Sequence, residues 1–415
     1  MKRFFLLTLA SAALLGASAA PVKTYEVKSP DGRLALVLTA GERLSFTVAR
    51  DGETLVAPSE MALTLSTGEV LGESPRVRSA RRRAVTETID APLYRQSRFD
   101  AAYNELDLRL RGDYGILARA YDDGVCYRFY TERDGELTIV DETAQLNFEG
   151  DPSAYIPYSK TEIPMRTSFE NTYEYAPLSK FRTQTVAFMP VLVDLGERGY
   201  VLYTESDVEA YPGVYLTYDK EAKGFAARFA EYPTETSLTK RFQDVVERSA
   251  DYIARVDGRR SYPWRIVAYA ATATELPVND MVWQTAEASR VADASWVRDG
   301  KIAWDWWNNW GVYGVDFKSG INTETYKYFI DFAAANGIEY VALDEGWGVR
   351  DGDVMHVVPE IDLPEIVSYA REKKVGIILW VVAKVLDDKL EEACRYYSEL
   401  GVAGWKVDFI DRQDQ

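Results

Sequence analysis

The sequence predicts a protein of two parts, an amino-terminal β-sandwich followed by the first half of a (β/α)8 barrel. Alternating apolar residues with frequent turn signals fill the chain to residue 276. Beyond residue 301, four apolar strand candidates are separated by helical segments. The 415 residues, 47% of them hydrophobic, are enough for two separate cores.

Residues 1–20 have the pattern of a signal peptide. Lys2 and Arg3 precede an apolar run, and small residues follow it, so cleavage is expected near Ala19 or Ala20. The run is too short to cross a bilayer, and no other long apolar run follows. We therefore expect a periplasmic or secreted protein without a membrane span.

Residues 21–276 predict the β-sandwich. Leu34, Leu36 and Leu38 alternate with small or polar residues, and the same alternation returns at 44–48 and 106–110. Turn sequences, such as Ser-Pro-Asp-Gly before Leu34, separate these segments. Many short strands with this spacing indicate a large sandwich.

A helical linker is predicted at 277–300, and residues 301–415 predict four β/α units. The strands are expected at 302–306, 338–344, 375–382 and 402–410. Strands that alternate with helices in this way form a parallel sheet, which could open a barrel or form a small doubly wound sheet. No glycine-rich phosphate turn follows any of the strands, so the barrel is favoured.

The three helices between these strands carry recognisable ends. The first is expected to begin after Asn322 and to end at Gly337, and the second to be capped by Asp362. The third is expected to end at Gly401 and to place five residues on one apolar face: Leu386, Leu390, Ala393, Cys394 and Tyr397.

Charge, cysteine and histidine content argue against several functions. A net charge of -17 argues against nucleic acid as a partner, because phosphate binding needs clustered basic residues. Cys126 and Cys394 lie far apart in apolar segments, so we expect two buried free thiols. His356 is the single histidine, which makes histidine triads and multi-histidine zinc sites poor candidates.

The last predicted strand, 402–410, is apolar enough to be buried and ends in acid, and we place the chemistry there. Lys406 and Asp408 are two residues apart, so strand alternation points both side chains the same way. A carboxylate at the carboxyl end of a parallel strand faces the rim where barrel enzymes keep their reacting groups. Asp408 is therefore the candidate nucleophile. Alternatively, Asp408 only pairs with Lys406 or Arg412, or caps a following helix.

Five segments occur in order in the carboxyl-terminal part: 304–308 (Trp-Asp-Trp-Trp-Asn), 313–318 (Tyr-Gly-Val-Asp-Phe-Lys), 343–347 (Leu-Asp-Glu-Gly-Trp), 377–382 (Ile-Ile-Leu-Trp-Val-Val) and 406–409 (Lys-Val-Asp-Phe). Together with sandwich segments 169–179 and 204–216, they closely resemble glycoside hydrolase family 97. The resemblance implies a sandwich, a catalytic (β/α)8 barrel and a carboxyl-terminal β-domain. It also implies an exo-acting enzyme that cleaves an α-linked oligosaccharide or other α-glycoside.

Retaining members of this family carry an aspartate nucleophile at the end of the fourth barrel strand, and inverting members lack it. Asp408 matches the retaining pattern, which implies α-galactosidase-type hydrolysis through a covalent glycosyl-enzyme. Lys406 is expected to keep Asp408 ionised and to lie at the substrate. An inverting α-glucosidase of the same family and a non-catalytic carbohydrate-binding protein are the alternatives.

Six further residues are candidates for binding sugar hydroxyls or stacking on a ring, although each could instead form a rim ion pair or pack in the barrel: Asp305, Trp307, Lys318, Asp344, Glu345 and Lys384. The resemblance also implies a calcium ion bound by glutamates, with Glu170 as the candidate and Glu174 as a weaker second choice. Gln413 stands in a stretch where the family pattern suggests an acid.

The chain stops just past the fourth predicted strand. Against the family pattern we expect a carboxyl-terminally truncated chain, with the general acid/base and the other calcium ligands outside it. An unpaired strand edge is also expected at the fourth strand.

Overall fold

The computed structural model describes residues 22–160 and 165–415, and it confirms the predicted fold class. An antiparallel β-sandwich precedes a four-stranded parallel sheet with helices. The predicted signal peptide lies outside the described residues. Within the described part of the chain, no helix is both long and apolar enough to span a membrane.

The amino-terminal part is built from antiparallel strands, and all of them except one separate two-stranded hairpin belong to one extended sheet. Its strands, β1 to β19 in chain order, are Lys23–Lys28, Leu34–Ala40, Leu44–Arg50, Glu53–Leu65, Val70–Leu71, Val77–Asp90, Arg98–Leu110, Tyr114–Tyr121, Gly124–Asn147, Ser153–Ile156, Glu174–Pro177, Val191–Asp194, Tyr200–Ser206, Tyr215–Asp219, Gly224–Arg228, Pro233–Leu238, Asp244–Ser249, Ala254–Ser261 and Trp264–Ala270. The predicted alternation is present in β2, where every second side chain is buried.

The 24-residue strand β9 holds the sandwich together. Its first half pairs with β8, β18 and β19, and its last part pairs with β4 and β15. A buried ion pair crosses the same region: Arg265 donates to both oxygens of Glu142 at 2.8 Å and to Glu205 at 2.5 Å. Glu205 also accepts the N–H of Val214 at 3.0 Å, which holds the loop before β14.

The carboxyl-terminal part contains four parallel strands in sequential order, β20 to β23: Ile302–Trp304, Tyr340–Leu343, Gly376–Val382 and Gly404–Asp408. The α-helices α1 to α5 are Met281–Thr285, Thr323–Ala335, Leu363–Lys373, Ala383–Asp387 and Leu390–Leu400. Short 3-10 helices lie at Leu178–Lys180, Gly196–Arg198, Ala273–Val278 and Asp305–Asn308.

Helix α2 begins directly after Asn322 and α3 is capped by Asp362, as predicted. The side chain of Asn322 accepts the N–H of Thr325 at 3.0 Å, and that of Asp362 accepts the N–H of Glu365 at 2.9 Å. Each cap satisfies a backbone donor that the first helical turn leaves unpaired.

The segment 277–300, predicted to be a helical linker, is helical only in part. It contains the end of the 3-10 helix Ala273–Val278 and the five-residue α1, and no helix or strand is described from 286 to 301.

The prediction of a single third helix is wrong in two respects. The segment forms two helices, α4 and α5, with the polar residues Asp388 and Lys389 between them. Cys394 is exposed and Leu390 is 49% exposed, whereas Ala393 and Tyr397 are buried. The face of α5 turned inward is therefore narrower than the apolar pattern suggested, and only Cys126 is a buried thiol.

The fourth strand, β23, was predicted to be buried, and this prediction is also wrong. Its five residues are half-buried or exposed, and Val407 is 42% exposed. Among the described residues, β23 pairs with β22 alone, so its second edge has no partner strand. A strand covered from one side only leaves part of its apolar surface open, whatever its sequence.

Candidate active site

The carboxyl ends of the four parallel strands gather most of the predicted site residues. Asp305 follows β20, Asp344 follows β21, and Asp408 is the last residue of β23. The strand pairs are in register, with Val382 of β22 opposite Asp408. Parallel pairing places these ends at one rim, as the sequence pattern predicts.

Asp408 is held at this rim by three donors or charges. Its Oδ2 accepts the indole N–H of Trp380 at 2.8 Å, and its Oδ1 accepts the N–H of Phe409 at 2.8 Å. The ammonium of Lys406 lies 3.8 Å from Oδ2. The carboxylate is nevertheless 41% exposed, so it is oriented by the protein and open to a ligand.

Lys406 interacts more closely with Asp344 than with Asp408. Its Nζ donates to Asp344 Oδ2 at 2.6 Å, and it lies 3.9 Å from the ring centroid of Trp304. The indole N–H of Trp304 donates to the same Asp344 oxygen, and the N–H of Glu345 donates to Oδ1 at 2.8 Å. Asp344 is thus surrounded by donors and 5% exposed. Lys406 links the second strand end to the fourth.

Asp305 lies beneath this cluster and is fully buried. The hydroxyl of Tyr326 donates to its Oδ2 at 2.7 Å, and the N–H of Asp344 donates to its oxygens at 3.2 and 3.3 Å. Burial raises the pKa of Asp305 to about 6, because the charged form is poorly solvated there; the bonds from Tyr326 and Asp344 act in the opposite direction. These contacts place Asp305 as a support for the turn at Asp344.

The remaining candidates are less closely grouped. Trp307 packs nearly perpendicular to Trp304, with 5.1 Å between ring centroids, and its side chain is 73% exposed at the rim. Glu345 pairs with Arg350 at 2.9 Å, and Lys384 pairs with Asp388 one helical turn away. The substrate roles of these residues stay predictions.

Two predicted residues are not brought into the group. Lys318 and Glu170 are both exposed, and neither side chain contacts another predicted site residue within the ranges that the structure describes. In those same ranges no three histidine, cysteine or acidic side chains come together as metal ligands. Glu174 instead pairs with Arg182 at 2.5 Å.

Sequence analysis missed three contributors to the site. Trp380 and Phe409 appeared there only within the segments 377–382 and 406–409, and neither residue was assigned to Asp408.

The third contributor is the turn between β16 and β17. Its residues Lys240, Arg241 and Phe242 face the barrel loops across a small cleft with a volume of about 80 Å³. Trp380 lines this cleft as well, so the cleft adjoins Asp408. Only the abundance of aromatic residues could have indicated Trp380 beforehand.

Comparison with known families assigns both parts of the chain. The sequence model described as Glycosyl-hydrolase 97 N-terminal matches residues 27–287, and the one described as Glycoside hydrolase 97 matches residues 306–415. The chain belongs to glycoside hydrolase family 97. This confirms the resemblance that the rim motifs suggested.

Two curated relatives match this family 97 chain over nearly all of its length. It is 42% identical over 402 residues to a retaining alpha-galactosidase of Bacteroides thetaiotaomicron, covering 95% of the chain and 61% of the relative. It is 30% identical to a probable retaining alpha-galactosidase of Streptomyces bingchenggensis, covering 93% and 56%. The chain thus spans less than two thirds of the length of either relative.

Solved structures show the same fold. A family 97 enzyme of Pseudoalteromonas sp. strain K8, solved in complex with acarbose, superimposes with a TM-score of 0.78 at 19% identity. The match covers 94% of this family 97 chain and 59% of that structure. A beta-arabinopyranosidase superimposes with a TM-score of 0.73 at 22% identity, covering 94% and 63%. At these identities the likeness concerns the fold alone.

Proposed function

We propose that the protein containing this chain is a retaining α-galactosidase-type glycoside hydrolase whose nucleophile is Asp408. The observation that carries the proposal is the position of Asp408: at the rim, oriented by the Trp380 indole and the Phe409 N–H, and still 41% exposed. The name of the relative that is 42% identical supports the sugar and the stereochemistry.

The proposed reaction is a double displacement. An oxygen of Asp408 forms a bond to the anomeric carbon while the bond from that carbon to the leaving oxygen breaks. The leaving oxygen keeps the electron pair and takes a proton from a second carboxyl about 5 Å away. Water then attacks the same carbon and gives a proton to the second carboxylate, while the bond to Asp408 breaks and Asp408 leaves as carboxylate; the sugar is released in its original configuration. The family resemblance implies that the second carboxyl lies beyond Gln415.

Charged and aromatic neighbours have proposed roles around this step. The ammonium of Lys406 lies 3.8 Å from Asp408 Oδ2 and attracts the negative charge of the carboxylate. Asp344 holds that ammonium in place and lies too deep to act as a second nucleophile. The exposed ring of Trp307 offers an apolar face to a sugar.

The stereochemistry of the first product tests this proposal. A protein with a complete eight-stranded barrel is incubated with an aryl α-galactoside, and the released galactose is followed by NMR before mutarotation. The α-anomer is expected first. The β-anomer would indicate an inverting enzyme, and binding of the sugar without any release would indicate a carbohydrate-binding protein; either would contradict the proposal.

Calcium remains a proposal that rests on the family resemblance. Ca²⁺ takes six to eight oxygen ligands, and the described residues offer no such cluster around Glu170, so they do not form a complete site. No step above depends on the ion. If Glu170 is one ligand, Ca²⁺ at a concentration about a hundred times its Kd should stabilise the folded protein by about 3 kcal/mol. Glu170→Gln should weaken this stabilisation. Glu149→Gln, at another exposed loop glutamate, is the control; equal responses would contradict the proposal.

We also infer that the protein is exported to the periplasm or beyond. The basis is the pattern of residues 1–20 alone. The amino terminus of the native protein should begin near Ala20, which intact-mass or terminal sequencing would detect. A native protein that retains Met1 would contradict this.

A further inference from the structure

The chain beyond Asp408 leaves the barrel rim and lies against the sandwich. The side-chain amide of Gln243 donates to Asp411 Oδ2 at 2.9 Å, and the N–H of Gly213 donates to the carbonyl of Gln413 at 2.8 Å. A Cβ at position 213 would lie 2.6 Å from the Gln413 side chain, so the two segments are in close contact. The sandwich thereby anchors the chain within a few residues of Asp408.

Phe409 connects this anchored segment to the carboxylate. Its φ angle is 58°, in the left-handed region that a bulky side chain rarely adopts. In this conformation its N–H donates to Asp408 Oδ1 at 2.8 Å. Its ring meets the ring of Trp380 edge-on, with 5.7 Å between centroids, and the Trp380 N–H holds Asp408 Oδ2. Phe409 therefore supplies one donor to Asp408 and packs against the other.

The sandwich reaches Phe409 through one hairpin, formed by β16, β17 and the turn between them, which we call the sandwich hairpin. The guanidinium of Arg241, at its tip, lies 5.5 Å from the centroid of the Phe409 ring, within range of a cation–π contact. The tip is itself ordered, because Thr239 accepts the N–H of Phe242 at 2.9 Å and its hydroxyl accepts the N–H of Gln243 at 3.1 Å.

We infer that Phe409 is a positioning residue for Asp408 and that the sandwich hairpin holds Phe409 in its left-handed conformation through Arg241. This inference rests on the proposed nucleophilic role of Asp408. Strained backbone persists only where its surroundings over-determine it, and here contacts come from both parts of the protein. The sandwich would then set the angle at which Asp408 meets the anomeric carbon.

A merely structural role for Phe409 predicts different results. If the ring only fills the contact between sandwich and barrel, replacing it should lower the melting temperature and leave kcat of the folded protein unchanged. If it positions Asp408, kcat should fall while KM changes little, because misplacing a reacting group by about 1 Å can cost up to about a hundredfold in rate.

The decisive variants are Phe409→Gly and Phe409→Tyr in a protein with a complete barrel. Glycine accepts the left-handed φ without strain but removes the ring, so kcat for an aryl α-galactoside should fall about 10- to 100-fold with KM nearly unchanged. Tyrosine keeps the ring and should retain most of the activity. Melting temperatures are measured in parallel. A kcat for Phe409→Gly equal to that of the wild type would overturn the inference.

Arg241 provides a second test that does not disturb folding, because its side chain is exposed at a hairpin tip. Arg241→Ala should lower kcat about two- to fivefold, the range of an exposed cation–π contact, and Arg241→Lys should restore part of it. Arg248→Ala is the matched control. Arg248 lies in the same hairpin but pairs with Glu235 at 2.6 Å, away from the tip, and its removal should leave kcat unchanged. Equal kcat values for the two alanine variants would count against the role of the hairpin.

The two levels of proposal fail in different ways. Wild-type kcat in Phe409→Gly, together with an inactive Asp408→Ala, would overturn the positioning role and leave the proposed function intact. Full activity in Asp408→Ala would overturn both, because Phe409 would then have no nucleophile to position.

Discussion

Asp305 and Asp408 both stand at the carboxyl end of a parallel strand, yet their surroundings differ in almost every respect. Asp305 is fully buried, and protein donors occupy both of its oxygens. Asp408 is 41% exposed, and its donors leave the carboxylate open to the rim. The first acid supports the fold of the site and the second is available for chemistry.

The difference comes from neighbours in space. Asp305 lies under Tyr326 of α2 and under the turn that begins at Asp344, so two later segments close over it. Asp408 lies beside the Trp380 indole, the Phe409 N–H and the Lys406 ammonium, and none of these three groups covers the carboxylate. Whether a carboxylate at a strand end is closed in or stays open to a ligand therefore depends on the groups that cover it. Substitutions at the two positions should separate these roles.

The largest expected effect is on activity at Asp408. Asp408→Ala should lower kcat about a thousandfold or more, because the proposed nucleophile is removed, while the free energy of unfolding changes by less than about 1 kcal/mol. Turnover of an aryl α-galactoside and urea unfolding measure the two quantities. The control is Asp299→Ala, at an exposed aspartate before β20, which should alter neither. Undiminished turnover in Asp408→Ala would refute the nucleophile assignment.

At Asp305 the expected effect is on stability. Asp305→Ala leaves the Tyr326 hydroxyl and the Asp344 N–H without a partner, and it also creates a cavity. The free energy of unfolding should fall by about 3 kcal/mol at a pH of about 5. Urea unfolding measures it, again against Asp299→Ala. A variant as stable as the control would mean that the buried contacts contribute little.

The pH dependence of stability should identify Asp305 specifically. Its pKa is about 6 when folded against 3.8 for the free side chain, so the folded protein binds more protons between these values. The stability that this protonation contributes to the wild type is fully present below a pH of about 4 and is lost as the pH rises through 6. The free energy of unfolding of Asp305→Asn, measured relative to wild type, should therefore rise by up to about 3 kcal/mol between pH of about 4 and 7. Unfolding curves across this range, with Asp299→Asn as control, measure the change; a pH-independent difference would contradict the burial argument.

The smallest expected effect concerns the orientation of Asp408. Trp380→Phe removes the indole N–H that donates to Oδ2 and keeps an aromatic ring. Since a hydrogen bond to a charged group contributes about 1.5 to 3 kcal/mol, kcat should fall about 10- to 100-fold. Trp296→Phe, at a 69% exposed tryptophan, is the matched control. If both variants keep wild-type kcat, the indole does not orient the nucleophile.

Local patterns predicted much of the barrel half. The start of α2 after Asn322 and the cap of α3 at Asp362 were recognisable because helix starts depend on residues a few positions apart. The wrong predictions share another cause. Cys394 and β23 looked buried because their neighbours in sequence are apolar, but burial depends on which other elements cover them.

The partners of Asp408 show the same limit within the site. Gln243 and Asp411, which join the sandwich hairpin to the segment after β23, are 168 residues apart in the chain. Phe409 adopts a left-handed conformation that glycine or asparagine usually adopts, so its residue type does not predict this conformation. Such contacts leave no local pattern, so sequence analysis could not assign them.

By itself the sequence determined the order of strands and helices, and with it the rim where Asp305, Asp344 and Asp408 gather. Parallel pairing follows from alternating elements, and it brings their carboxyl ends to one side. Only the tertiary structure decided which of these acids is closed in, which is paired with Lys406 and which is left open. Desolvation and hydrogen bonding depend on groups that folding brings together from distant parts of the chain, and those groups set the character of each carboxylate.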